Sequence, residues 1–244
     1  MRSNLAEPVT IDDLARAAMF SKFHFSRMFQ RVTGVSPGRF LSAIRLEEAK
    51  HLLLTTSLNV ADISMRVGYN SVGTFSSRFS RSVGVSPTAY RRLGGYIATI
   101  PSQDPCGPDT ARISGRIGLP AQLRRPGLIF IGLFPTPIPE GRPVSCAVLR
   151  GPGSYELRAM PGEQYYLLAH GVTGDPEAAQ QPNLTVATCG PLAVERDARL
   201  NLDVMLQPVG RLDLPVLLAL QDARKTALQR MADDPARHTQ LAAA

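Results

Sequence analysis

The chain has 244 residues, a length at which two domains are expected. Its composition, with 44% hydrophobic and 19% charged residues, is typical of a folded protein with a buried core. Its formal net charge is +7, and the first 95 residues carry all of it, with 13 lysines and arginines against 6 acidic residues. Three widely spaced cysteines indicate neither a metal site nor a disulfide framework, and the lack of a leader or membrane-length apolar run predicts a cytoplasmic protein without a membrane partner.

The proline content changes at the same point as the net charge: 3 prolines precede Gly95 and the other 17 follow it. Together the two patterns predict an α + β multidomain protein with an all-α domain over 1–95 and a linker over 96–110. Proline and glycine after Gly95 suit strands and turns, and with the short apolar runs of this half they predict an antiparallel β-sandwich with a terminal helix over 111–232, followed by a disordered tail over 233–244. Positive charge confined to one domain indicates a polyanionic partner, with a merely basic surface as the alternative.

An internal repeat fills the basic domain. The run Gly34-Val35-Ser36-Pro37 recurs 50 residues later as Gly84-Val85-Ser86-Pro87, and phenylalanines 25 and 29 recur as 75 and 79. Further upstream the offset is 49, so the second copy has one extra residue near 68–71. Because turns tolerate insertions and packed helices do not, each copy is predicted to be a helix-turn-helix.

Capping residues predict where these helices begin. Thr10 caps a helix over 11–18, and Ser21 and Asn70 lie where the second helix of each copy should be capped. Pro37 opens a long helix that runs to about Thr55 and separates the two copies.

The second helix of the first copy, from Lys22 to about Val32, separates into two stripes. The apolar stripe, predicted to face the core, consists of Phe25, Met28, Phe29 and Val32. The other stripe, predicted to face DNA bases, consists of Phe23, Ser26, Arg27 and Gln30. Arg27 is the strongest candidate because one guanidinium bonds guanine O6 and N7 together. Lys22 and Arg31 are predicted to contact phosphates, and Phe23 is predicted either to touch a thymine methyl or to shield the core.

The equivalent helix of the second copy runs from Ser71 to about Arg81 and has a different polar stripe. Its core residues are Phe75, Phe79 and Val83. Its base-facing residues are all small: Gly73, Ser76, Ser77 and Ser80. Arg78 and Arg81 flank them as phosphate candidates. The first motif is therefore predicted to specify the sequence, and the second to anchor the protein.

These motifs resemble the DNA-binding region of the AraC/XylS family of bacterial transcription regulators. The matching stretches are Leu14-Ala15, Ser21–Phe29, Gly34–Pro37, Arg45–Ala49, Ala61–Ile63, Val67–Tyr69, Phe75-Ser76, Phe79, Gly84–Pro87 and Tyr90-Arg91. The resemblance implies a sequence-specific transcription regulator with seven helices, whose recognition helices enter major-groove segments about 34 Å apart. Double-stranded DNA is the implied partner, with RNA polymerase, a small-molecule effector and a second copy of the chain as further candidates.

The sequence departs from the family pattern at four points. The common arginine of the second recognition helix falls at Ser77, and a glycine frequent in the first turn is Met19. The family's first helix should precede Asn4, so either the reading frame starts upstream or that helix is frayed. The extra domain also follows the DNA-binding region, where many members place theirs before it.

The C-terminal half alternates short apolar runs with proline and glycine. Seven strands are predicted: 113–119, 127–134, 144–149, 154–159, 164–171, 184–189 and 200–206. The runs 154–158 and 163–169 are interpreted as a hairpin, and their pattern weakly resembles transthyretin-like or carboxypeptidase-regulatory-like sandwiches. A helix is predicted from Pro215 to about Met231.

Residues with catalytic patterning are not evident in this half, so no enzyme activity, cofactor or metal is predicted. His170 is interpreted as structural, Tyr155, Tyr165 and Tyr166 as core, and Cys106 as an inert linker thiol. The predicted role of the domain is effector sensing, dimerisation or partner contact. Two alternatives remain: an architectural DNA binder of low specificity, and an enzyme or carbohydrate-binding module tethered to DNA.

Overall fold

The computed structural model describes residues 5–7, 9–95, 105, 110–121, 128–173, 183–218 and 241–242. The chain forms two compact units. The helical unit comprises Met1–Tyr96, Ile138–Gly141 and Arg211–Ala219, and the sheet unit comprises Ile97–Pro137, Arg142–Gly210 and Leu220–Ala244. The helical unit therefore includes two short segments from the part of the chain predicted to be sandwich. Most of the linker predicted over 96–110, with Cys106, lies outside the described residues.

The helical unit has six helices among the described residues. They are α1 (Ile11–Ala17), α2 (Lys22–Thr33), α3 (Pro37–Thr55), α4 (Val60–Arg66), α5 (Val72–Val83) and α6 (Pro87–Arg92). Helices α1–α2 and α4–α5 are the two predicted helix-turn-helix copies, and α3 is the long helix between them. The family's further helix before Asn4 falls outside the described residues.

Side-chain caps fix the helix starts. Thr10 and Asp13 form a reciprocal capping box at α1, and the hydrogen bonds from Thr10 hold the pKa of the Asp13 carboxyl below its ordinary value. Ser21 caps α2 as predicted, with its hydroxyl accepting from the His24 N–H. The prediction that Asn70 caps α5 is wrong, because the cap is Ser71. The extra residue of the second copy lies before the cap and shifts the helix start by one position.

The core of the helical unit is more complete around the second copy. Phe75, Phe79 and Val83 are fully buried, as predicted. In α2, all of which is described, no side chain is fully buried, and Met28 and Val32 are 36% and 61% exposed. Their predicted place in the core is therefore wrong.

The two copies differ in burial because a further segment of the chain covers part of α5. Val32 is equivalent in the repeat to Ser82, which is fully buried. The backbone N–H of Gly141 donates to the Ser82 carbonyl at 2.8 Å, so the segment Ile138–Gly141 packs on this part of α5.

The sheet unit contains two sheets. Their strands are β1 (Ala111–Gly118), β2 (Leu128–Phe134), β3 (Ser145–Leu149), β4 (Gly153–Ala159), β5 (Gln164–Thr173), β6 (Asn183–Ala193), β7 (Arg199–Asn201), β8 (Val204–Met205), β9 (Gln207–Pro208) and β10 (Leu241–Ala242). One sheet has the order β4-β1-β7, with β8 also on β1, and the other has the order β10-β3-β2-β5-β6-β9. Both sheets contribute to one apolar core, which includes Ile113 and Tyr155 from the first and Ile131, Tyr165 and Leu167 from the second. This is a sandwich whose interior is filled by side chains.

The predicted hairpin is wrong, because β4 and β5 belong to different sheets. β4 pairs with β1, whereas β5 pairs with β2 and β6. The turn between them crosses the sandwich: Gly162 has φ +85° and its N–H donates to the Val194 carbonyl. Both strands can then direct their alternate side chains into the shared core.

The predicted strand over 200–206 is two short strands, and both run parallel to β1, so this sheet is mixed rather than antiparallel. Leu202 and Asp203 interrupt the pairing. The Leu202 carbonyl accepts from the Tyr155 hydroxyl at 2.6 Å, and the Asp203 carboxylate accepts from the Arg116 backbone N–H at 2.8 Å. Gly115 permits this close approach, since a Cβ there would overlap the Leu202 carbonyl.

One C-terminal prediction needs correction. The helix predicted from Pro215 does not begin there: residues 214–217 have no regular structure, and 219–231 lie outside the described residues. Backbone groups of Val216 and Leu217 make tertiary hydrogen bonds instead: the Val216 carbonyl accepts from the Lys50 ammonium, and the Leu217 N–H donates to the Pro139 carbonyl. In the tail predicted to be disordered, Leu241–Ala242 pair with β3 and satisfy backbone groups at its edge. The other tail residues lie outside the described part of the chain, so their disorder stays a prediction.

The turn of the first copy generates a stability prediction. Met19 has φ +56°, a left-handed conformation that costs an L-residue about 1 kcal/mol, and its side chain is 91% exposed. Gly68 has the same role in the second copy, at φ +86°. We expect Met19→Gly to raise the free energy of unfolding by about 1 kcal/mol in urea titrations.

The matched control is Gly68→Ala, which we expect to destabilise the protein because the new Cβ would overlap the Leu5 carbonyl and the Arg45 guanidinium. A neutral or destabilising effect of Met19→Gly would show that the Met19 side chain contributes packing that exceeds the backbone strain.

Candidate nucleic-acid interface

The polar face of α2 projects into solvent. Phe23 is 80% exposed, and Arg27 and Gln30 are also exposed. Ser26 is half-buried, and its hydroxyl donates to the Lys22 carbonyl at 2.7 Å, so part of its hydrogen-bonding capacity is used within the helix. Of the base-reading residues predicted on α2, three are freely accessible and Ser26 is less so.

Two basic residues flank this face. Arg31 is exposed, and the Lys22 ammonium lies 3.2 Å from the Asp12 carboxylate. The side chains of Lys22 and Asp12 are 50% and 57% exposed, so the pair is solvent-screened and contributes little to stability. Exchanging Asp12 for a DNA phosphate would therefore cost Lys22 little.

The opposite side of each recognition helix is held by aromatic contacts. Phe25 and Phe29 in α2 have ring centroids 5.6 Å apart, as do Phe75 and Phe79 in α5. Phe29 meets Phe40 edge-on at 5.3 Å. This arrangement sets which face of α2 points outward.

In the second copy the aromatic contacts continue from Phe79 of α5 to Tyr90, and the two rings meet edge-on with centroids 5.6 Å apart. Burial raises the pKa of Tyr90 to about 12. The repeat thus places equivalent aromatic side chains behind both recognition helices.

The outward face of α5 is nearly flat. A Cβ built on Gly73 would meet only the Ser71 hydroxyl, at 3.7 Å, so the backbone there is open to close approach. Ser77 is exposed, whereas Ser76 and Ser80 are half-buried and the Ser80 hydroxyl donates to the Ser76 carbonyl at 2.8 Å. Short hydroxyl side chains allow contact with a groove but discriminate weakly between base edges.

The two arginines of α5 have different environments. Arg81 is exposed beside the flat face, as a phosphate-binding residue requires. Arg78 lies five positions after Gly73, about 140° around the helix, and its side chain is only 25% exposed. Its guanidinium contacts the Ser42 hydroxyl at 3.4 Å and the Glu140 carboxylate at 3.1 Å. These contacts are those of a structural residue, and the phosphate role of Arg78 stays a prediction.

Sequence reasoning missed Glu140, Ser42 and Ser82, the residues around Arg78. Glu140 is 62 residues from Arg78 in the chain, and no local motif links the two. Both flanking serines are ordinary helix residues in the sequence, and only their burial marks them.

Among the described residues, no cluster of histidine, cysteine, aspartate and glutamate could hold a metal ion, and no helix is long and apolar enough to cross a membrane. The sheet unit contains an open cavity of about 800 Å³. Residues lining it include Arg116, Gly118, Pro120, Pro152, Asp203 and Met205.

Comparison with known proteins matches residues 14–93 to a family model described as a helix-turn-helix domain. The HTH-type transcriptional activator AarP of Providencia stuartii is 33% identical over 91 residues, which are 37% of this chain and 67% of AarP. The lactose operon transcription activator of Staphylococcus xylosus is 32% identical over 91 residues, 37% of this chain and 33% of that protein. The right origin-binding protein of Escherichia coli K12 is 33% identical over 92 residues, 38% of this chain and 32% of that protein.

Solved structures match the same share of the chain. The C-terminal domain of AraT, a response regulator from Geobacillus stearothermophilus, is 35% identical and covers 38% of this chain and 77% of that one, with a TM-score of 0.37. The DNA-binding domain of AdpA in complex with a target DNA is 33% identical and covers 38% and 83%, also with a TM-score of 0.37.

A basic pair of helix-turn-helix motifs with this sequence signature defines a DNA-binding transcription regulator. The chain belongs to the AraC/XylS family of such regulators. Its match spans about a third of the length of the lactose operon activator and of the right origin-binding protein. The likeness of residues 111–232 to transthyretin-like sandwiches stays a prediction.

The different environments of Arg81 and Arg78 lead to a prediction. We expect Arg81→Ala to weaken binding to all duplex sequences alike and to reduce the slope of log affinity against log salt by about 1. Arg78→Ala should leave the salt slope unchanged and lower the unfolding temperature, because it leaves Glu140 with fewer partners in a site largely closed to water. Titrations of a fluorescent duplex at several salt concentrations, with thermal unfolding alongside, measure both. Equal salt slopes for Arg81→Ala and wild type would exclude a phosphate contact by Arg81.

Proposed function

We propose that the protein is a sequence-specific transcription regulator that reads DNA chiefly through α2 and uses α5 to anchor a second, weakly read segment. The observation that carries this proposal is the difference between two equivalent surfaces. The outward face of α2 presents Phe23, Arg27 and Gln30, whereas that of α5 presents Gly73 and Ser77.

On α2, Arg27 is proposed to bond guanine O6 and N7, a pairing worth about 1–3 kcal/mol of discrimination. Gln30, one turn later, is proposed to pair with adenine or to contact a phosphate. Phe23 is 80% exposed and therefore available to a thymine methyl rather than occupied in shielding the core. Lys22 and Arg31 complete the interface with phosphate contacts.

On α5, the small residues Gly73, Ser76, Ser77 and Ser80 are proposed to let the helix approach the groove closely. Arg81 then holds a phosphate at its edge. Such contacts fix the register of the protein on the duplex and add affinity without much sequence information.

The sheet unit is proposed to sense a small-molecule effector, with dimerisation and contact with RNA polymerase as the alternatives. Among the described residues, apolar side chains from both sheets pack together in one core. The open cavity near Arg116 and Asp203 supports the sensing role, since it has the volume of a typical small-molecule site and places a cation and a carboxylate at its wall. A carbohydrate-binding module is the competing interpretation of the same cavity.

A second candidate function is architectural DNA binding with little specificity, which the flat face of α5 favours. The two functions differ in the ratio of specific to non-specific affinity at one stated salt concentration. A specific regulator binds its own site about 10³-fold or more tighter than unrelated DNA.

We test the proposal with Arg27→Ala and its matched control Arg27→Lys, using a duplex selected by the wild-type protein from a random library. Both variants should lose preference at one or two base pairs, because neither retains the bidentate guanidinium. Arg27→Lys should keep the non-specific affinity, since the charge remains. If Arg27→Ala weakened every sequence equally, Arg27 would be a phosphate ligand and not a base reader.

The position of Ser77 allows a gain-of-function test. Ser77 stands where the family resemblance places an arginine, and it is exposed. We expect Ser77→Arg to create a new base preference in the DNA segment contacted by α5, measured by the same selection. Ser57→Arg, at an exposed position before α4, is the charge control and should raise affinity without a new preference. A selected motif unchanged by Ser77→Arg would mean that α5 does not face a groove.

A further inference from the structure

A short acidic segment packs against α5 on the side away from its DNA-facing residues. The segment is Ile138–Gly141, which belongs to the helical unit although it follows β2 and precedes β3 in the chain. Ile138 is fully buried, the Gly141 N–H donates to the Ser82 carbonyl at 2.8 Å, and the Pro139 carbonyl accepts from the Leu217 N–H at 3.1 Å. Backbone hydrogen bonds therefore hold the segment on both sides.

Glu140 is the centre of this contact. Its carboxylate accepts from the Ser82 hydroxyl at 2.7 Å and from the Arg78 guanidinium at 3.1 and 3.4 Å. It also lies 3.4 Å from the guanidinium of Arg39 in the first turn of α3. With its side chain only 13% exposed, Glu140 joins α3 to α5 through charge-assisted hydrogen bonds in a site largely closed to water.

Removing the Glu140 charge would weaken the contacts that these partners make. Arg78 and Arg39 would keep two positive charges near one another, and the buried Ser82 hydroxyl would lose its charged acceptor. Because both arginines bond the same carboxylate, the relative position of α3 and α5 depends on it.

The first copy differs at the equivalent positions. Arg78 and Ser82 correspond in the repeat to Met28 and Val32, which are 36% and 61% exposed. The ionic contact is thus a property of the second motif, which has the weaker base-reading face. Side chains that contact a ligand are effective only when supporting contacts hold the element that carries them in place.

We propose that Glu140 is a positioning residue for DNA binding, which fixes the recognition helix α5 from behind through Arg78, Ser82 and Arg39. The proposal rests on the proposed role of α5 as a DNA-contacting helix. It also means that the second motif depends on a residue encoded beyond residue 93, where the match to the family model ends.

The opposite role for Glu140 is competition with DNA. A carboxylate that neutralises two arginines would lower affinity if those arginines were phosphate ligands. The placement of Arg78 about 140° from Gly73 argues against this role. The sign of the affinity change on removing the charge separates the two.

The test uses the full chain with Glu140→Gln, which keeps the size of the side chain and removes its charge. We expect affinity for the selected duplex to fall roughly tenfold. Hydroxyl-radical protection should be lost over the segment contacted by α5 and kept over the segment contacted by α2. All measurements are made well below the unfolding transition of each variant, so that loss of folded protein does not mimic loss of binding.

Two further variants separate positioning from general stability. Glu156→Gln is the matched control, because Glu156 pairs with Arg112 at 2.8 Å in the sheet unit and its side chain is 43% exposed. This variant should leave DNA affinity and hydroxyl-radical protection unchanged. Arg78→Gln combined with Glu140→Gln replaces the ion pair by two amides able to hydrogen-bond. The double variant should lose less affinity than the sum of the single losses.

Three results would overturn the proposal. Tighter binding of Glu140→Gln with a steeper salt slope would make Glu140 a competitor of DNA. Unchanged affinity and protection with a lower unfolding temperature would make its role structural only. Wild-type protection confined to one DNA segment would refute the role of α5 itself, a failure visible without any variant.

Discussion

The contact between two phenylalanines one turn apart, repeated in both copies, is the constraint on which the DNA-binding surface depends. Each pair has ring centroids 5.6 Å apart and continues into an edge-on contact with a third aromatic ring, Phe40 in one copy and Tyr90 in the other. Burying these rings is favourable only with one face of α2 and α5 turned inward. The opposite faces are therefore presented to solvent, whatever residues they carry.

This constraint explains how two equivalent motifs acquired different surfaces. The aromatic positions determine the fold of each motif, so the outward positions are free to vary without loss of the core. In α2 they carry a guanidinium and an amide, and in α5 they carry glycine and serines. The ionic contact at Glu140 adds a second difference, because α5, whose outward side chains are the smaller ones, is also the helix held by a carboxylate that is only 13% exposed.

Much of the helical unit was predictable because its signals are local. Caps, the 3.6-residue period and the proline that opens α3 all act within a few positions, and they placed the helices to within a residue or two. The Asn70 cap failed by one position, since the sequence does not show on which side of a cap an inserted residue lies. The prediction that Val32 is buried was wrong because burial at this position of the repeat depends on a covering segment. At the equivalent Ser82, that cover comes from a segment distant in the chain.

In the sheet unit, strand positions were predictable and pairing was not. Alternation identifies the strands β4 and β5, but the choice between a hairpin and a crossing between sheets depends on which partners bury each face. Likewise, no local pattern shows that Leu202 interrupts a strand or that Glu140 reaches Arg78. Those features depend on contacts between distant positions, which periodicity does not encode.

The central claim is that the two motifs contribute unequally to specificity. Selection of binding sites from a random duplex library by the full-length protein tests it most directly. The predicted result is one block of strongly preferred base pairs and, about one helical turn away, a block with weak preference. Two blocks of equal information content would contradict the claim.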